Sequence, residues 1–255
     1  MATASKRRWF RFSLRTMLTL VIVVAIPVAW IAKERRQSQY EHQIAEQLLK
    51  QGFEIVRFGG PFDSWNLDDP NLPQVWWRNL ARIVLGDRVV EVGGPPREFD
   101  DLKPLVGLGN LRIIQLHNTL IRDIAPLASL KNLREISLTF TQVSDLTPLA
   151  NLRNLQSLAL TGVPATNFAP LAGLRNLRFL LVGSTKFSDV TPLGSLMNLR
   201  HLDLSGTHVN DLSLLAGMPN LKALVVDGNS VSTTQLKDLK KALPNCEFTI
   251  CGFRQ

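Results

Sequence analysis

The sequence predicts an α/β solenoid, and three observations lead to that prediction. Six consecutive copies of a 22-residue pattern, D-L-x-P-L-x-x-L-x-N-L-x-x-L-x-L-x-x-T-x-V-x, run without an insertion from residue 101 to residue 232. Every copy contains a short segment with apolar residues at alternate positions, which is typical of a strand. Five of the six have a proline near the start, which discourages a long helix. A constant period in the twenties indicates supersecondary units stacked on one another.

The strand of each copy lies in its second half. In the second copy, Leu133–Leu138 has the form L-x-x-L-x-L, and its last part alternates with period two. Strands stacked about 4.8 Å apart would form a parallel sheet in which one inward side chain per strand belongs to a continuous ladder. The predicted ladder comprises Ile114, Ile136, Leu158, Leu180, Leu202 and Leu224.

The first half of each copy predicts a short 3₁₀ turn. It opens with Asp-x-x-Pro-Leu, and the Asp carboxylate is expected to accept backbone N–H groups of the first turn. Only about eight residues separate this Asp from the next Asn-Leu, which is too few for three α-helical turns. The recurring Asn is expected to bond the backbone at the strand entrance; its copies are Asn110, Asn132, Asn154, Asn176, Asn198 and Asn220.

This pattern resembles the bacterial leucine-rich repeat of the internalin type, which also has 22 residues. The resemblance covers Arg88 to about Ile250 and implies a parallel sheet on the concave face, with 3₁₀ turns on the convex side. The sequence departs from the family where threonine replaces the usual asparagine, and the hydroxyl is expected to bond the neighbouring backbone instead. The threonines concerned are Thr119, Thr141, Thr185 and Thr207, whereas Asn229 restores the family residue.

Both flanks keep the repeat frame. Arg88–Asp100 looks like a partial first repeat, so we predict repeats over residues 88–232 and, with the strand of the C-terminal cap, eight strands in the solenoid. Residues 233–255 are predicted as a capping helix and strand, with Thr233 or Thr234 as the helix cap. Cys246 and Cys251 are expected to be unpaired, buried thiols.

The N-terminal segment predicts a membrane anchor. The 17 residues Thr16–Ala32 are uncharged and would span about 26 Å as a helix, so we predict a transmembrane helix over residues 13–33 after a basic head over residues 1–12. A cleavable signal peptide is the main alternative, but no small-x-small site follows the apolar run. A buried core helix is a third interpretation, which we disfavour. The segment Arg-Phe-Ser-Leu-Arg-Thr-Met-Leu before the span also resembles the start of planctomycete single-span proteins.

The charge distribution predicts the topology. Net charge is +8, of which five units precede the span, while 24 basic and 21 acidic residues follow it. This asymmetry favours a single-pass protein with a cytoplasmic N-terminus and an exported repeat domain. Because a membrane explains the basic head, nucleic acid is not expected as a partner.

Residues 34–87 are predicted to link the membrane and the repeats. They comprise a helix over Glu34–Gly52, a strand over Phe53–Phe58, a loop over Pro61–Pro73 and a helix over Gln74–Gly86. The loop and the second helix carry Trp65, Trp76 and Trp77. These aromatic residues could stack on a carbohydrate or lipid head group, but we favour a role in capping the open end of the solenoid.

No catalytic, metal-binding or cofactor-binding motif is present in the sequence. His201 and Asp203 share one strand and are the only pair that hints at acid–base chemistry, and a solvated surface pair is the favoured interpretation. We therefore predict no enzymatic activity, no metal and no cofactor.

Outward strand positions that break the repeat pattern are the candidates for partner binding. Phe179 and Leu181 are predicted to form an exposed apolar spot on the concave face. Ser157, Ala159, His201 and Asp203 would border this spot, with Phe140 near its rim. A second feature is a basic ridge of Arg112, Arg134, Arg178, Arg200 and Lys222. The ridge could bind an acidic envelope polymer, although a solvated flank paired in part with acidic neighbours is favoured.

The sequence thus predicts a membrane-anchored leucine-rich-repeat module that recognises a protein or envelope macromolecule on its concave face. Two alternatives stay open: a structural envelope protein without a specific ligand, and a cryptic enzyme or enzyme subunit.

Overall fold

A computed structural model describes residues 14–59, 88–227 and 231–252 and confirms a parallel-sheet solenoid with 3₁₀ turns. The sheet lies in a compact unit formed by Glu41–Gly59 and the described residues from Arg88 onward. Its nine strands pair in the order in which they occur in the chain. They are β1 Ile55–Gly59, β2 Arg88–Gly93, β3 Ile113–Gln115, β4 Glu135–Ser137, β5 Ser157–Ala159, β6 Phe179–Leu181, β7 His201–Asp203, β8 Ala223–Asp227 and β9 Glu247–Cys251.

Strands β2 to β9 are parallel and pair in the register of the repeat. Leu180, for example, lies between Leu158 and Leu202. All six residues of the predicted ladder are at most 2% exposed. Strands β2 to β9 are the eight strands expected of the solenoid. Strand β1, which overlaps the strand predicted over Phe53–Phe58, pairs antiparallel with β2 and extends the sheet to nine.

A 3₁₀ turn follows the opening residue of each complete repeat. These turns are η1 Lys103–Leu105, η2 Ala125–Ser129, η3 Thr147–Leu149, η4 Ala169–Gly173, η5 Thr191–Ser195 and η6 Ser213–Gly217. The opening carboxylate accepts the N–H two residues later, as Asp189 does from Thr191 at 2.8 Å. The bond recurs at Asp101, Asp123, Asp145, Asn167 and Asp211. The expected hydrogen bond is therefore present, one residue before the formal cap.

An asparagine ladder joins successive repeats, and a threonine ladder holds the turn within each repeat. Asn176 Nδ2 donates to the Arg153 carbonyl of the preceding repeat at 2.8 Å, and Asn132, Asn154, Asn198 and Asn220 make the equivalent bond. The threonines bond within their own repeat, as Thr207 Oγ1 does to the Leu204 carbonyl at 2.6 Å. The four threonines and these five asparagines bond the backbone as the sequence predicts. The equivalent acceptor for Asn110 lies outside the described residues.

The end of helix α1 (Leu14–Lys50) closes the N-terminal side of the core. Ile44 and Leu48 are buried there, and the Glu41 carboxylate accepts the Val89 N–H at 2.9 Å. Gly52 follows the helix with a φ of +90°, a conformation that favours glycine. A buried carboxylate thus caps the backbone of the first parallel strand.

Helix α2 (Thr233–Ala242) and β9 close the other side. The cap of α2 is Ser232, whose hydroxyl accepts the Gln235 N–H at 3.2 Å, and the expected Thr233 or Thr234 is wrong. Ser232 takes the extended backbone that a cap residue needs, one residue earlier than predicted. Cys246 is half-buried and Cys251 is exposed at the strand end, so the expectation of two buried thiols is also wrong. Burial, followed by the charge of Glu247, raises the pKa of the Cys246 thiol.

The structure gives no support to the predicted transmembrane helix over residues 13–33. Over the part of the chain that the structure describes, no helix combines the length and the apolar content needed to cross a membrane. Other predictions fall outside the described residues altogether. These are the basic head over residues 1–12, the loop Pro61–Pro73, the helix Gln74–Gly86, Asn229 and the tryptophans Trp65, Trp76 and Trp77.

Candidate binding surface

Six outward-facing residues of β5, β6 and β7 form the sheet-face patch. In one column Phe179 lies between Ser157 and His201, and in the next Leu181 lies between Ala159 and Asp203. The register of the sheet therefore places together the residues that the sequence singles out, apart from Phe140. Phe179 is 42% exposed and Leu181 is 39% exposed, whereas Leu180 between them is fully buried.

The exposure of the two apolar side chains has a local cause. Ser157 and Ala159 on the preceding strand are too small to cover them, and among the described elements only β5 and β7 contact β6. Alternation along the strand fixes the direction of both side chains, because Leu180 must face the core. The patch is thus built on backbone that the core holds rigidly.

His201 supports one side of the patch. Its ring stacks on Phe179 with centroids 4.6 Å apart and planes 9° from parallel. Such stacked pairs contribute about 0.5–1.5 kcal/mol beyond burial of area. The contact holds the Phe179 ring in one orientation and leaves its other face to solvent.

Asp203 has a structural task that competes with any chemical one. Its Oδ1 accepts the Ser205 N–H at 2.8 Å and so holds the turn after β7. Neither a hydrogen bond nor an ion pair joins Asp203 to His201. The two side chains do not form an acid–base dyad. Nowhere in the described ranges do three or more potential metal-ligating side chains cluster.

Phe140 lies apart from the patch, in the turn after β4. Counted from the Asp or Asn that opens each repeat, it occupies position 18, where five successive repeats have positive φ: Asn118, Phe140, Gly162, Ser184 and Gly206. A bulky aromatic residue is rare in this left-handed conformation. Phe140 is nevertheless 55% exposed, and its ring lies on Gly162, where a Cβ would be 2.5 Å from Phe140 Cδ1. The sequence pattern gave no signal for this arrangement beyond the glycine itself.

The basic ridge follows the strand entrances and is interrupted by Gln156. Arg134, Arg178, Arg200 and Lys222 are exposed, while Arg112 is half-buried. The backbone N–H of each exposed member bonds the carbonyl of the same position in the preceding repeat, at 2.7–2.8 Å. None of these four cations forms an ion pair with the described residues. The expected pairing with acidic neighbours is therefore wrong for them, and the aspartates that open the repeats bond N–H groups of their own 3₁₀ turns instead.

Comparison with known proteins supports the repeat assignment. A family model described as leucine-rich repeats in two copies matches residues 109–151. The solved structure of internalin C2 from Listeria monocytogenes is similar to this chain with 32% identity and a TM-score of 0.55, over 64% of this chain and 76% of that one. A leucine-rich repeat protein of Leptospira interrogans is similar with 26% identity and a TM-score of 0.55, over 59% of this chain and 40% of that one. No curated protein matches the chain.

Proposed function

We propose that this chain, which belongs to the bacterial leucine-rich repeat family of the internalin-like type, binds a protein partner through its sheet-face patch. The observation that carries the proposal is the adjacent exposure of Phe179 and Leu181 on one rigid strand. Rigid apolar anchors with a polar rim are what protein interfaces use at their centres.

The geometry of the patch favours binding over a purely structural role. Stacking of repeats requires the inward ladder alone, and small or polar residues satisfy the outward positions of the third repeat, Ser157 and Ala159. A structural solenoid would therefore have no need of Phe179 and Leu181. Covering both side chains would remove apolar surface from water, which stabilises a complex by about 25 cal/mol for each Å².

A catalytic role has less support. His201 is engaged in a ring stack and Asp203 in a backbone hydrogen bond, so neither is held ready for proton transfer. The similarity to an internalin also points to a binding scaffold.

Site-specific photocrosslinking in the source cells tests the proposed binding function. A photoreactive amino acid replaces Leu181 in one variant and Ala216 in the other, since Ala216 is exposed in turn η6 on the far side of the repeat. We expect a discrete protein adduct from position 181 that is missing at position 216. Identical adducts from both positions, or none from position 181, would favour the structural alternative.

We also propose that residues 13–33 anchor the chain in a membrane, with a cytoplasmic N-terminus and an exported repeat domain. Two features of the sequence support this: the 17 uncharged residues Thr16–Ala32, and five basic residues before the span against Lys33, Arg35 and Arg36 after it.

Fractionation and proteolysis test this anchor. We expect the chain to stay with the membrane in alkaline carbonate, and protease added to intact cells to digest the repeat domain. Release by carbonate would rule out the anchor, and full protection of the repeats would reverse the topology.

A further inference from the structure

We infer that the partner presents an acidic protein segment in which an apolar residue is flanked by carboxylates. This inference rests on the proposed function and adds the chemistry of the ligand. The proposed ligand would cover the sheet-face patch and the neighbouring edge of the sheet. This edge, at which the strands begin, is the entrance edge.

The entrance edge carries basic side chains in two rows. The first row is the ridge described above, and the second comprises Lys131, Arg153 and Arg175, three positions earlier in their repeats and also exposed. In the six-residue segments that end with the first strand position, the six repeats contain eight Lys or Arg residues and one acidic residue, Glu135. The second row is less apparent from the sequence, because only three of the six repeats carry a basic residue at its position.

Hydrogen bonds fix the backbone under both rows. The carbonyls of Lys131, Arg153 and Arg175 each accept an asparagine amide from the next repeat at 2.8–3.0 Å. Since repeats stack at about 4.8 Å, like charges recur at that spacing along the edge. The resulting positive field attracts an anionic ligand before contact is made.

Intramolecular acidic groups do not neutralise this edge. Most aspartates of the repeats open a 3₁₀ turn on the opposite side of the strands, where Asp145, Asp189 and Asp211 accept backbone N–H groups. The Thr147 and Thr191 hydroxyls, followed by their N–H groups, lower the pKa of Asp145 and Asp189. The Ser213 N–H, followed by its hydroxyl, lowers the pKa of Asp211. The carboxylates of these aspartates are therefore engaged by their own turns and not by the cations of the entrance edge.

A groove between turn η4 and the second basic row offers room for acidic side chains. It measures about 500 Å³ and is lined by Arg153, Arg175, Asn176 and Gly173 among others. A Cβ on Gly173 would lie 2.5 Å from the Ala150 carbonyl oxygen, so the groove needs glycine at this position.

The entrance edge is continuous with the sheet-face patch. Arg178 directly precedes Phe179, and Arg200 directly precedes His201. A ligand residue seated on Phe179 and Leu181 therefore brings its chain neighbours beside two exposed guanidinium groups. A carboxylate there forms charge-assisted bonds, whereas a purely ionic polymer would leave the apolar patch uncovered. This continuity favours an acidic protein segment over a polysaccharide or nucleic acid.

A displayed library of random peptides, selected on the purified full chain at low salt, tests the inference. We expect enriched peptides to carry Asp or Glu on both sides of an apolar residue, and their affinity to fall as salt is raised. The edge variant Arg178→Glu/Arg200→Glu should weaken these peptides about tenfold. The control Arg122→Glu/Lys186→Glu changes net charge equally at exposed positions after the strands and should bind as the unmodified chain does.

The patch variant Phe179→Ser/Leu181→Ala separates this inference from the proposed function, because it gives the fourth repeat the outward residues of the third. If the selected peptides lose affinity for the patch variant but not for the edge variant, the inference is overturned and the proposed function stands. If acidic peptides bind the patch variant with unchanged affinity, the surface binds polyanions in general and the inference is overturned. Failure to enrich any peptide would also overturn it, while the photocrosslinking result would still decide the proposed function.

Discussion

At position 18 of the repeat, the backbone keeps one conformation while the side chain varies. The backbone is left-handed in every described copy, and Gly162 and Gly206 occupy that conformation without strain. Phe140 does so at an expected cost of about 1–2 kcal/mol. The pattern marks this position as variable, so the sequence reveals neither the strain nor the contact of the Phe140 ring with Gly162.

Replacing Gly162 tests that contact. Gly162→Ala should lower the free energy of unfolding by about 2 kcal/mol or more, because the new Cβ adds a clash with Phe140 to the left-handed strain. Gly206→Ala is the matched control, since its nearest neighbour would be Ser184 Oγ at 3.3 Å and strain alone would act. Urea denaturation measures both. Adding Phe140→Asn, the type of residue found at position 18 of the first repeat, should recover part of the Gly162→Ala loss. An equal loss of unfolding free energy for Gly162→Ala and Gly206→Ala would mean that the Phe140 ring moves aside without cost.

The aspartates that open the 3₁₀ turns predict a dependence of stability on pH. Hydrogen bonds lower the pKa of Asp145, Asp189 and Asp211 below the ordinary value of 3.8. A carboxyl group whose pKa is lower in the folded state contributes stability that is present above pH 3.8 and is lost as the pH falls through the folded value.

Substitution by asparagine isolates this effect. Asn167 already makes the same bond, to the Ala169 N–H at 3.0 Å. The triple variant Asp145→Asn/Asp189→Asn/Asp211→Asn should therefore keep most of its stability at neutral pH and lose less than the unmodified chain below pH 3.8. Thermal unfolding followed by circular dichroism across this pH range is the measurement. An unchanged acid profile would contradict the assignment.

Among the structural elements, strand β6 separates core from surface within three residues. Leu180→Ala should destabilise the chain by about 2–5 kcal/mol, because it leaves a cavity in the fully buried ladder. Phe179→Ser next to it should destabilise the chain by only about 1–2 kcal/mol, because the partly exposed ring loses the stack on His201 and limited burial. Chemical denaturation of the two variants tests the contrast. A large loss for Phe179→Ser would show that its ring serves the fold.

The repeat period accounts for most of what could be predicted. A buried ladder, an asparagine ladder and short turns recur every 22 residues, so one copy predicts the others. Strand pairing and helix capping outside the 22-residue repeats were not predictable in this way. Strand β1 joins antiparallel to β2, with an ion pair of 3.1 Å between Arg57 and Glu91, and no repeat carries its signal. The cap at Ser232 differs from the expected residue by one position, because serine and threonine are both good caps and the backbone decides between them.

The candidate site was predictable to the same extent. Phe179, Leu181, His201 and Asp203 lie together because the register of the sheet is the register of the repeat. The ring stack and the turn held by Asp203 depend on side-chain rotamers, which the pattern does not specify.

At the scale of the molecule, the repeat domain is a scaffold, and the proposed recognition depends on the residues that depart from the repeat pattern. The ladders hold the strands in one register, and the patch and the basic edge stand on that fixed backbone. Such preorganisation lowers the entropy lost on binding. The proposed binding then depends on the few outward residues that differ between copies.

The affinity of the crosslinked partner for the patch variant is the most direct test of this account. Phe179→Ser/Leu181→Ala should weaken binding roughly a hundredfold or more while the chain stays folded, with a loss of unfolding free energy of only about 1–3 kcal/mol. Val106→Ala/Leu120→Gln removes two equally exposed apolar side chains elsewhere, taking the residues of the second repeat, and should bind as the unmodified chain does. A folded patch variant that binds the partner with unchanged affinity would contradict the account.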